Sequence, residues 1–174
     1  MFLGTFHLKL DDKGRLTIPV RYREILQEKY HVEQEPNGTE LILSLFDHCI
    51  IAYPKAEWMS LAHELTAAIT MPSMHREVRD LKRLFFGNAV ECTADAQGRV
   101  LIAPVLRAKA DLNGDITLVG VNDHFEIWNR EQWEHYYINV EERLEEIAQK
   151  LAELSNARIS QREHVFGDGP PPHL

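Results

Sequence analysis

A five-residue figure occurs twice in the chain and constrains its fold more than any other feature. It is Asp-Asp-Lys-Gly-Arg at residues 11–15 and Asp-Ala-Gln-Gly-Arg at residues 95–99. An apolar segment and a proline follow each copy closely, Pro19 in the first and Pro104 in the second. A repeated turn of this kind indicates that the molecule holds two copies of one small structural unit.

The repeat extends beyond the turn into a second block. Residues 16–26 align with residues 100–112, and residues 40–58 align with residues 115–133, so that two tryptophans coincide. The loop between the blocks is longer in the first copy. A unit of roughly 75 residues is small for an independent core, and we therefore expect each copy to complete its core with the other.

Composition limits the class of protein. The chain has 174 residues, of which 44% are hydrophobic and 26% charged, as in one globular domain or two intimate ones. No apolar run has the length of a membrane span, and the first residues lack the pattern of a secretory signal, so we expect a cytoplasmic protein. The two cysteines, Cys49 and Cys92, are predicted to be buried free thiols.

The distribution of charge matters more than the net charge of −8. Binding to nucleic acid requires local positive potential. Basic residues outnumber acidic ones in segments 9–23 and 95–109, which contain the two repeated turns, whereas acidic residues collect in segment 141–154. An acidic chain of this kind can still present a basic face.

Short apolar segments predict the strands and the first helices. Two hairpins are predicted around the repeated turns. One is formed by residues 6–10 and 15–18, and the other by residues 89–94 and 99–102. Short helices of about ten residues are expected after the two prolines, because proline is tolerated in a first helical turn. The second block predicts one further hairpin in each copy.

Apolar stripes predict three longer helices. The first stripe runs from Trp58 to Ile69, the second from Met74 to Phe85, and the third from Trp133 to Leu154 with a spacing of about 3.5 residues. We expect the third helix to pack on the body of the protein or on a neighbouring subunit. The final residues contain three prolines and predict a flexible tail.

The residue types of the repeated turn fit recognition of nucleic acid. The aspartate can accept hydrogen bonds from backbone N–H groups of the loop and can pair with the arginine, while the glycine permits the reversal. Arginine is suited to bidentate contacts with phosphate or with the O6/N7 edge of guanine. A single copy would more simply close a hairpin with a solvated arginine, but two copies with basic neighbours favour a recognition surface.

The segments DDKGRLTIPVRYREIL, DAQGRVLIAPVLRAKADL and VGVNDHFEIWNREQW resemble the MraZ family of bacterial transcriptional regulators. The resemblance covers about residues 1–150. It implies an α+β fold in which duplicated AbrB-like swapped hairpins form a β-barrel, with peripheral helices and a C-terminal helix. It also implies a ring-shaped homo-oligomer associated with the nucleoid. The expected partner is double-stranded DNA at promoter repeats. The protein is expected to repress its own promoter in the division and cell-wall gene cluster.

The same resemblance divides the chain into five parts. We expect a first repeat at 1–54, a helical connector at 55–86, a second repeat at 87–130, a C-terminal helix at 131–156 and the flexible tail at 157–174. Several weak basic turns in a ring would bind repeated DNA elements far more tightly together than singly.

The family's Asp-x-x-x-Arg motif maps onto Asp11 with Arg15 and onto Asp95 with Arg99. It implies that Arg15 is the first DNA contact and Arg99 its partner. The second copy has Ala96 and Gln97 where the first has Asp12 and Lys13, and so has less positive charge. The complete set of expected DNA-binding residues is Arg15, Lys13, Arg99, Arg21 and Arg23, supported in the turns by Asp11, Gly14, Asp95 and Gly98.

Three other functions are considered. An enzyme could use Asp47 with His48 or Asp123 with His124, but adjacent strand residues are expected to point to opposite faces, and HExxH and CxxC motifs are absent from the sequence. We therefore expect no catalysis, metal or cofactor. A non-catalytic interaction ring could use the basic turns as subunit contacts. RNA binding is disfavoured because the turns lack aromatic residues that stack on bases.

Overall fold

The computed structural model describes residues 1–30, 40–67 and 75–166, with the backbone alone at 67, 75 and 157–166. The chain divides into two units, Met1–Trp133 and Glu134–Leu174. The elements in chain order are β1 Thr5–Lys9, β2 Arg15–Thr17, α1 Val20–Tyr30, β3 Glu40–Phe46, β4 Cys49–Pro54, α2 Lys55–Ala67, α3 His75–Gly87, β5 Val90–Thr93, β6 Arg99–Leu101, α4 Pro104–Lys109, β7 Asp115–Val121, β8 His124–Asn129, α5 Arg130–Glu142 and α6 Leu144–Phe166.

A six-stranded antiparallel sheet forms the centre of the first unit. Its strand order is β1-β7-β8-β4-β3-β5, so that each outer strand belongs to one repeat and pairs with a strand of the other. β1 pairs with β7 of the second repeat, and β5 pairs with β3 of the first. The two repeats have therefore exchanged their first strands, and the order is symmetric about the central pair β4-β8.

The expected hairpins of the first block differ from the observed pairing. Residues 6–10 and 15–18 were predicted to pair with each other, as were residues 89–94 and 99–102, whereas β2 pairs with β6 in a separate two-stranded ribbon. The turn brings the chain round, but the strands on either side bind the opposite repeat. The residues of the turn determine that the chain reverses direction. Packing in the core determines which strand each flanking segment pairs with.

The α+β class is confirmed, but the expected closed barrel is not. The six-stranded sheet is open, with β1 and β5 at its edges. The hairpins of the second block are confirmed as β3–β4 and β7–β8. Asp47 and Asn122 begin their turns with positive φ, which Asp and Asn tolerate better than most residues.

The sheet has a hydrophobic cluster on each face. One cluster lies between the sheet and the ribbon with α1 and α4, and it combines residues of both repeats, such as Tyr22 and Leu106. The other contains Trp58, Phe85 and Trp128, and the rings of Trp58 and Phe85 stack at 4.6 Å. The shared first cluster confirms that the repeats complete one core together.

The helices after the prolines begin where the sequence predicted. α1 follows Pro19, whose carbonyl accepts from the N–H groups of Tyr22 and Arg23 at 2.9 and 3.0 Å. α4 begins at Pro104 and has six residues, fewer than expected. Trp58 and Phe85, at the ends of two predicted stripes, are buried. The positions at 68–74 in those stripes lie outside the described residues.

The second unit contains α5 from Glu134 onwards and α6. Several apolar residues of the third stripe are exposed within the single chain, among them Leu144, Leu151 and Leu154 at 59, 61 and 65%. α6 continues to Phe166, and residues 167–174 of the predicted tail lie outside the described residues. Across the described part of the chain, none of the helices has the length and apolar character needed to span a membrane.

Candidate nucleic-acid interface

The first turn is organised by the carboxylate of Asp11. Its Oδ1 accepts hydrogen bonds from the backbone N–H groups of Lys13 at 3.0 Å and Arg15 at 2.9 Å. Its Oδ2 accepts from Nε of Arg15 at 2.7 Å and also lies 2.7 Å from Nη2. Gly14 has a φ of 76°, which glycine adopts readily. One carboxylate thus fixes both the loop backbone and the direction of the guanidinium.

The second turn repeats this arrangement. Asp95 Oδ1 accepts from the backbone N–H groups of Gln97 and Arg99 at 3.0 and 2.9 Å, and Oδ2 accepts from Arg99 Nε at 2.7 Å. Gly98 has a φ of 75°. One contact is additional, since Nη2 of Arg99 donates to Oε1 of Gln97 at 2.9 Å. Lys13, at the equivalent position of the first turn, has no acceptor to offer.

The ribbon brings the two turns onto one surface. Arg15 pairs with Leu101, and Thr17 pairs with Arg99, while the central pair Leu16 and Val100 is buried. Because alternate strand residues share a face, both arginines lie on the outer face. They occupy diagonal positions, where neighbouring residues lie about 7–8 Å apart and their β-carbons somewhat closer. Their side chains are 27 and 33% exposed.

Arginines from the opposite repeat cover the two turns. The guanidinium of Arg107 fills the space that a β-carbon on Gly14 would need, and Cδ and Nε of Arg23 fill the equivalent space at Gly98. Backbone hydrogen bonds reinforce this exchange: Ile102 N–H donates to the Gly14 carbonyl at 3.1 Å, and Ile18 N–H donates to the Gly98 carbonyl at 2.9 Å.

Other predicted contacts have different settings. Lys13 and Arg21 are exposed, the first in its turn and the second on α1. Arg23 is half-buried against the second turn instead of extending into solvent. Arg107 was not among the expected site residues. The signal that could have found it is its spacing from Arg23, which equals the spacing between Gly14 and Gly98.

The charges within each turn stabilise one another. The backbone hydrogen bond from Arg15 is the main cause that lowers the pKa of Asp11. The hydrogen bond from the Arg99 side chain, followed by that from its backbone, lowers the pKa of Asp95 to about 2. The pKa of Arg99 is raised chiefly by Asp95, with a further contribution from Asp11 of the other turn. Both aspartates are therefore ionised at neutral pH.

The Asp–His pairs considered for catalysis require a correction. Asp123 and His124 were expected to point to opposite faces, yet Asp123 Oδ1 lies 2.7 Å from His124 Nδ1, and Asp47 Oδ1 lies 3.5 Å from His48 Nε2. Both pairs lie at hairpin turns, where strand alternation does not hold. His124 also stacks on Tyr53 at 4.2 Å between ring centroids. Among the described residues, clusters of three or more metal-ligating side chains are absent.

Comparison with known proteins agrees with this duplicated architecture. The chain matches the family described as "MraZ protein, putative antitoxin-like" over residues 1–84 and again over residues 85–163. The chain belongs to the MraZ family. The two matches divide it into the same two repeats that exchange strands in the sheet.

Individual MraZ relatives match over most of their length. The transcriptional regulator MraZ of Pelotomaculum thermopropionicum is 38% identical over 155 residues, which are 89% of this chain and 98% of the relative. The protein of the same name from Carboxydothermus hydrogenoformans is 36% identical over 88% of this chain and 98% of its own length. That of Roseiflexus sp. is 37% identical over 88 and 99%. These relatives are named as regulators and not as enzymes, in agreement with the sequence prediction.

Proposed function

We propose that the protein is a DNA-binding transcriptional regulator that reads DNA with the outer face of the β2–β6 ribbon. One observation carries the proposal: the exchange of strands brings both Asp-paired arginines to the same exposed face. The names of its MraZ relatives support the same function. We further propose that it represses its own promoter in the division and cell-wall gene cluster.

The shape and chemistry of the ribbon suit the major groove. That groove admits a two-stranded β-ribbon and displays the full pattern of base edges. The outer face carries two guanidinium groups, the hydroxyl of Thr17 and the apolar side chain of Leu101, which is 54% exposed. Arginine pairs with guanine O6 and N7, threonine bonds either kind of base edge, and an apolar group contacts the thymine methyl. This mixture provides direct readout.

Phosphate contacts would supply the remainder of the affinity. Lys13, in the first turn, and Arg21, on α1, are exposed and are proposed to bind the DNA backbone. Such contacts fix the register of a protein on DNA and make binding depend on salt. A protein that carries a net charge of −8 needs these local cations to approach DNA.

We propose a homo-oligomeric ring, located in the cytoplasm and associated with the nucleoid. The exposed apolar residues of α6 support it, because a stripe of this kind at heptad-like spacing is typical of a helix that packs on another helix. Several ribbons presented to DNA repeats would raise the overall affinity well above that of one ribbon. Replacing Leu151 and Leu154 by glutamate should lower the molar mass measured by light scattering.

The decisive experiment compares binding to the protein's own upstream DNA with binding to a scrambled duplex, at two salt concentrations. Arg15→Ala is expected to abolish preference for the promoter while the circular dichroism spectrum and molar mass stay unchanged. Arg83→Ala is the matched control, since Arg83 is another surface arginine paired with an aspartate, at 3.0 Å from Asp80. It should bind like the unmodified protein.

The rival interaction ring gives a different result in the same experiment. It predicts equal, weak binding to both duplexes and little dependence on salt. It also predicts that Arg15→Ala lowers the molar mass, since the turns would then be subunit contacts. Either result would remove the proposed role of the ribbon in DNA recognition.

A further inference from the structure

Each turn is covered by a side chain that reaches across from the opposite repeat. Arg107 extends from α4 of the second repeat to Gly14, and Arg23 extends from α1 of the first repeat to Gly98. Both arginines are half-buried, whereas Arg21, two residues before Arg23 on α1, is exposed. The contact is reciprocal, as expected from strand exchange between two copies of one unit.

Arg107 is fixed by a continuous set of hydrogen bonds. Its Nε donates to the carbonyl of Ile102 at 3.1 Å, and the N–H of Ile102 donates to the carbonyl of Gly14 at 3.1 Å. These bonds tie the end of β6 and the start of α4 to the first turn. On the other side, the N–H of Ile18 binds Gly98, but Arg23 Nε is buried without a hydrogen-bond partner in the described part of the chain.

We infer that Arg107 and Arg23 are positioning residues and that each acts on the turn of the opposite repeat. Arg107 fixes the turn that carries Arg15, and Arg23 fixes the turn that carries Arg99. The inference rests on the proposed DNA-binding function of the ribbon. An aspartate holds each turn from within and an arginine of the other repeat holds it from outside, so its recognition arginine is ordered before DNA arrives. Preorganisation of this kind lowers the ordering cost of binding.

Denaturant unfolding tests the exchange without DNA. Gly14→Ala places a β-carbon against Arg107 and at a positive φ that L-residues avoid, so the unfolding midpoint should fall. Combined with Arg107→Ala, the loss should be smaller than the sum of the two single losses, because the steric conflict is removed. Combined with Arg23→Ala, the losses should add. Gly98→Ala should show the reverse pattern.

Promoter binding tests the positioning role. Arg107→Ala is expected to weaken binding about tenfold, a change that corresponds to roughly 1.4 kcal/mol. At low ionic strength, where residual binding is measurable, it should cause no further loss in an Arg15→Ala background and its full loss in an Arg99→Ala background. The slope of affinity against salt should stay unchanged, whereas loss of a direct phosphate contact would reduce it by about 1.

The outcomes separate the inference from the function on which it rests. The inference is overturned if each arginine couples to the glycine of its own repeat, if the losses add in every combination, or if Arg107→Ala reduces the salt slope. If Arg15→Ala and Arg99→Ala bind the promoter normally, the proposed function fails, and the unfolding cycles still decide whether the exchange exists.

Discussion

The two turns of the ribbon have one backbone and different side chains. Each aspartate accepts the same two backbone hydrogen bonds and the same arginine Nε, with distances that agree within 0.1 Å. Between aspartate and glycine, however, the first turn has Asp12 and Lys13 and the second has Ala96 and Gln97. The residues that build the turn are therefore the same in both copies, whereas the two residues between aspartate and glycine differ.

This difference predicts unequal roles for the two arginines. Gln97 accepts a hydrogen bond from Arg99 and restrains its guanidinium, whereas Lys13 adds a positive charge beside Arg15. Arg15 keeps more donors for DNA, and Lys13 offers a further cation for contact with phosphate, while Asp12 leaves the two turns with the same net charge. A duplicated scaffold can thus present one strong and one weaker contact without any change in backbone.

The largest effect is expected from truncation of the buried residue pair that supports both turns. Leu16 and Val100 face each other in the ribbon and are 1 and 2% exposed. Leu16→Ala should reduce the free energy of unfolding by about 2–5 kcal/mol. Val100→Ala should reduce the free energy of unfolding by roughly 0.8 kcal/mol less than Leu16→Ala does, because valine buries one methylene fewer than leucine. Urea unfolding measures both, and a negligible loss for Leu16→Ala would show that the ribbon is not anchored to the core.

The next prediction removes the charge that aims each arginine. In Asp11→Asn the amide oxygen can still accept the backbone N–H groups, but the charge-assisted bond to Arg15 is lost. We expect promoter affinity to fall about tenfold, equivalent to roughly 1.4 kcal/mol. Asp95→Asn should have a smaller effect, because Gln97 still contacts Arg99. Equal losses would contradict the unequal roles of the turns.

The stability of Asp95→Asn should also depend less on acid than that of the unmodified protein. The unfolded state binds more protons than the folded state in this pH range: hydrogen bonds from Arg99 lower the pKa of Asp95 from 3.8 to about 2 on folding. The stabilising effect of Asp95 is therefore present above pH 3.8 and is lost as the pH falls towards 2. Asp95→Asn should remove this part of the acid destabilisation. Unfolding midpoints measured between about pH 4 and pH 2 should therefore converge for the variant and the unmodified protein.

The sequence predicted local features of the site well and long-range pairing poorly. Asp11 and Asp95 were expected to bind loop N–H groups and pair with the following arginines, interactions that lie within five residues. The separation of β1 from β2 was not foreseen, because a local turn signal is the same whether its two strands pair with each other or with another repeat. That choice depends on which surfaces are buried together in the shared core.

Arg23 and Arg107 illustrate the same limit. In the sequence both belong to basic segments that follow a turn, which favours exposed phosphate contacts. Their half-buried positions on Gly98 and Gly14 follow from strand exchange, which brings α1 to the second turn and α4 to the first. A basic segment therefore identifies charge near a site, while the topology decides which charges remain exposed.

Replacing each of these two arginines by methionine should have a smaller effect. Methionine retains much of the packing of arginine but cannot donate a hydrogen bond. Arg107→Met should cost about 1 kcal/mol in unfolding free energy, since Nε loses its bond to the Ile102 carbonyl. Arg23→Met should cost less, because burial of its Nε is not compensated by a hydrogen bond within the described residues. Thermal unfolding of the matched pair measures the difference, and a greater loss for Arg23→Met would reverse the interpretation.

The smallest effect is expected for Gln97→Lys, which makes the second turn more similar to the first. Gln97→Lys adds a positive charge and removes the acceptor that restrains Arg99, so that this turn acquires the charge found beside Arg15. It should steepen the dependence of promoter affinity on salt by about 0.9, the value for one further phosphate contact. Lys13→Gln should reduce the slope by a similar amount. If both variants leave the slope unchanged, the residue before the glycine does not reach phosphate, and the inequality of the turns must come from the hydrogen bonds of the arginines alone.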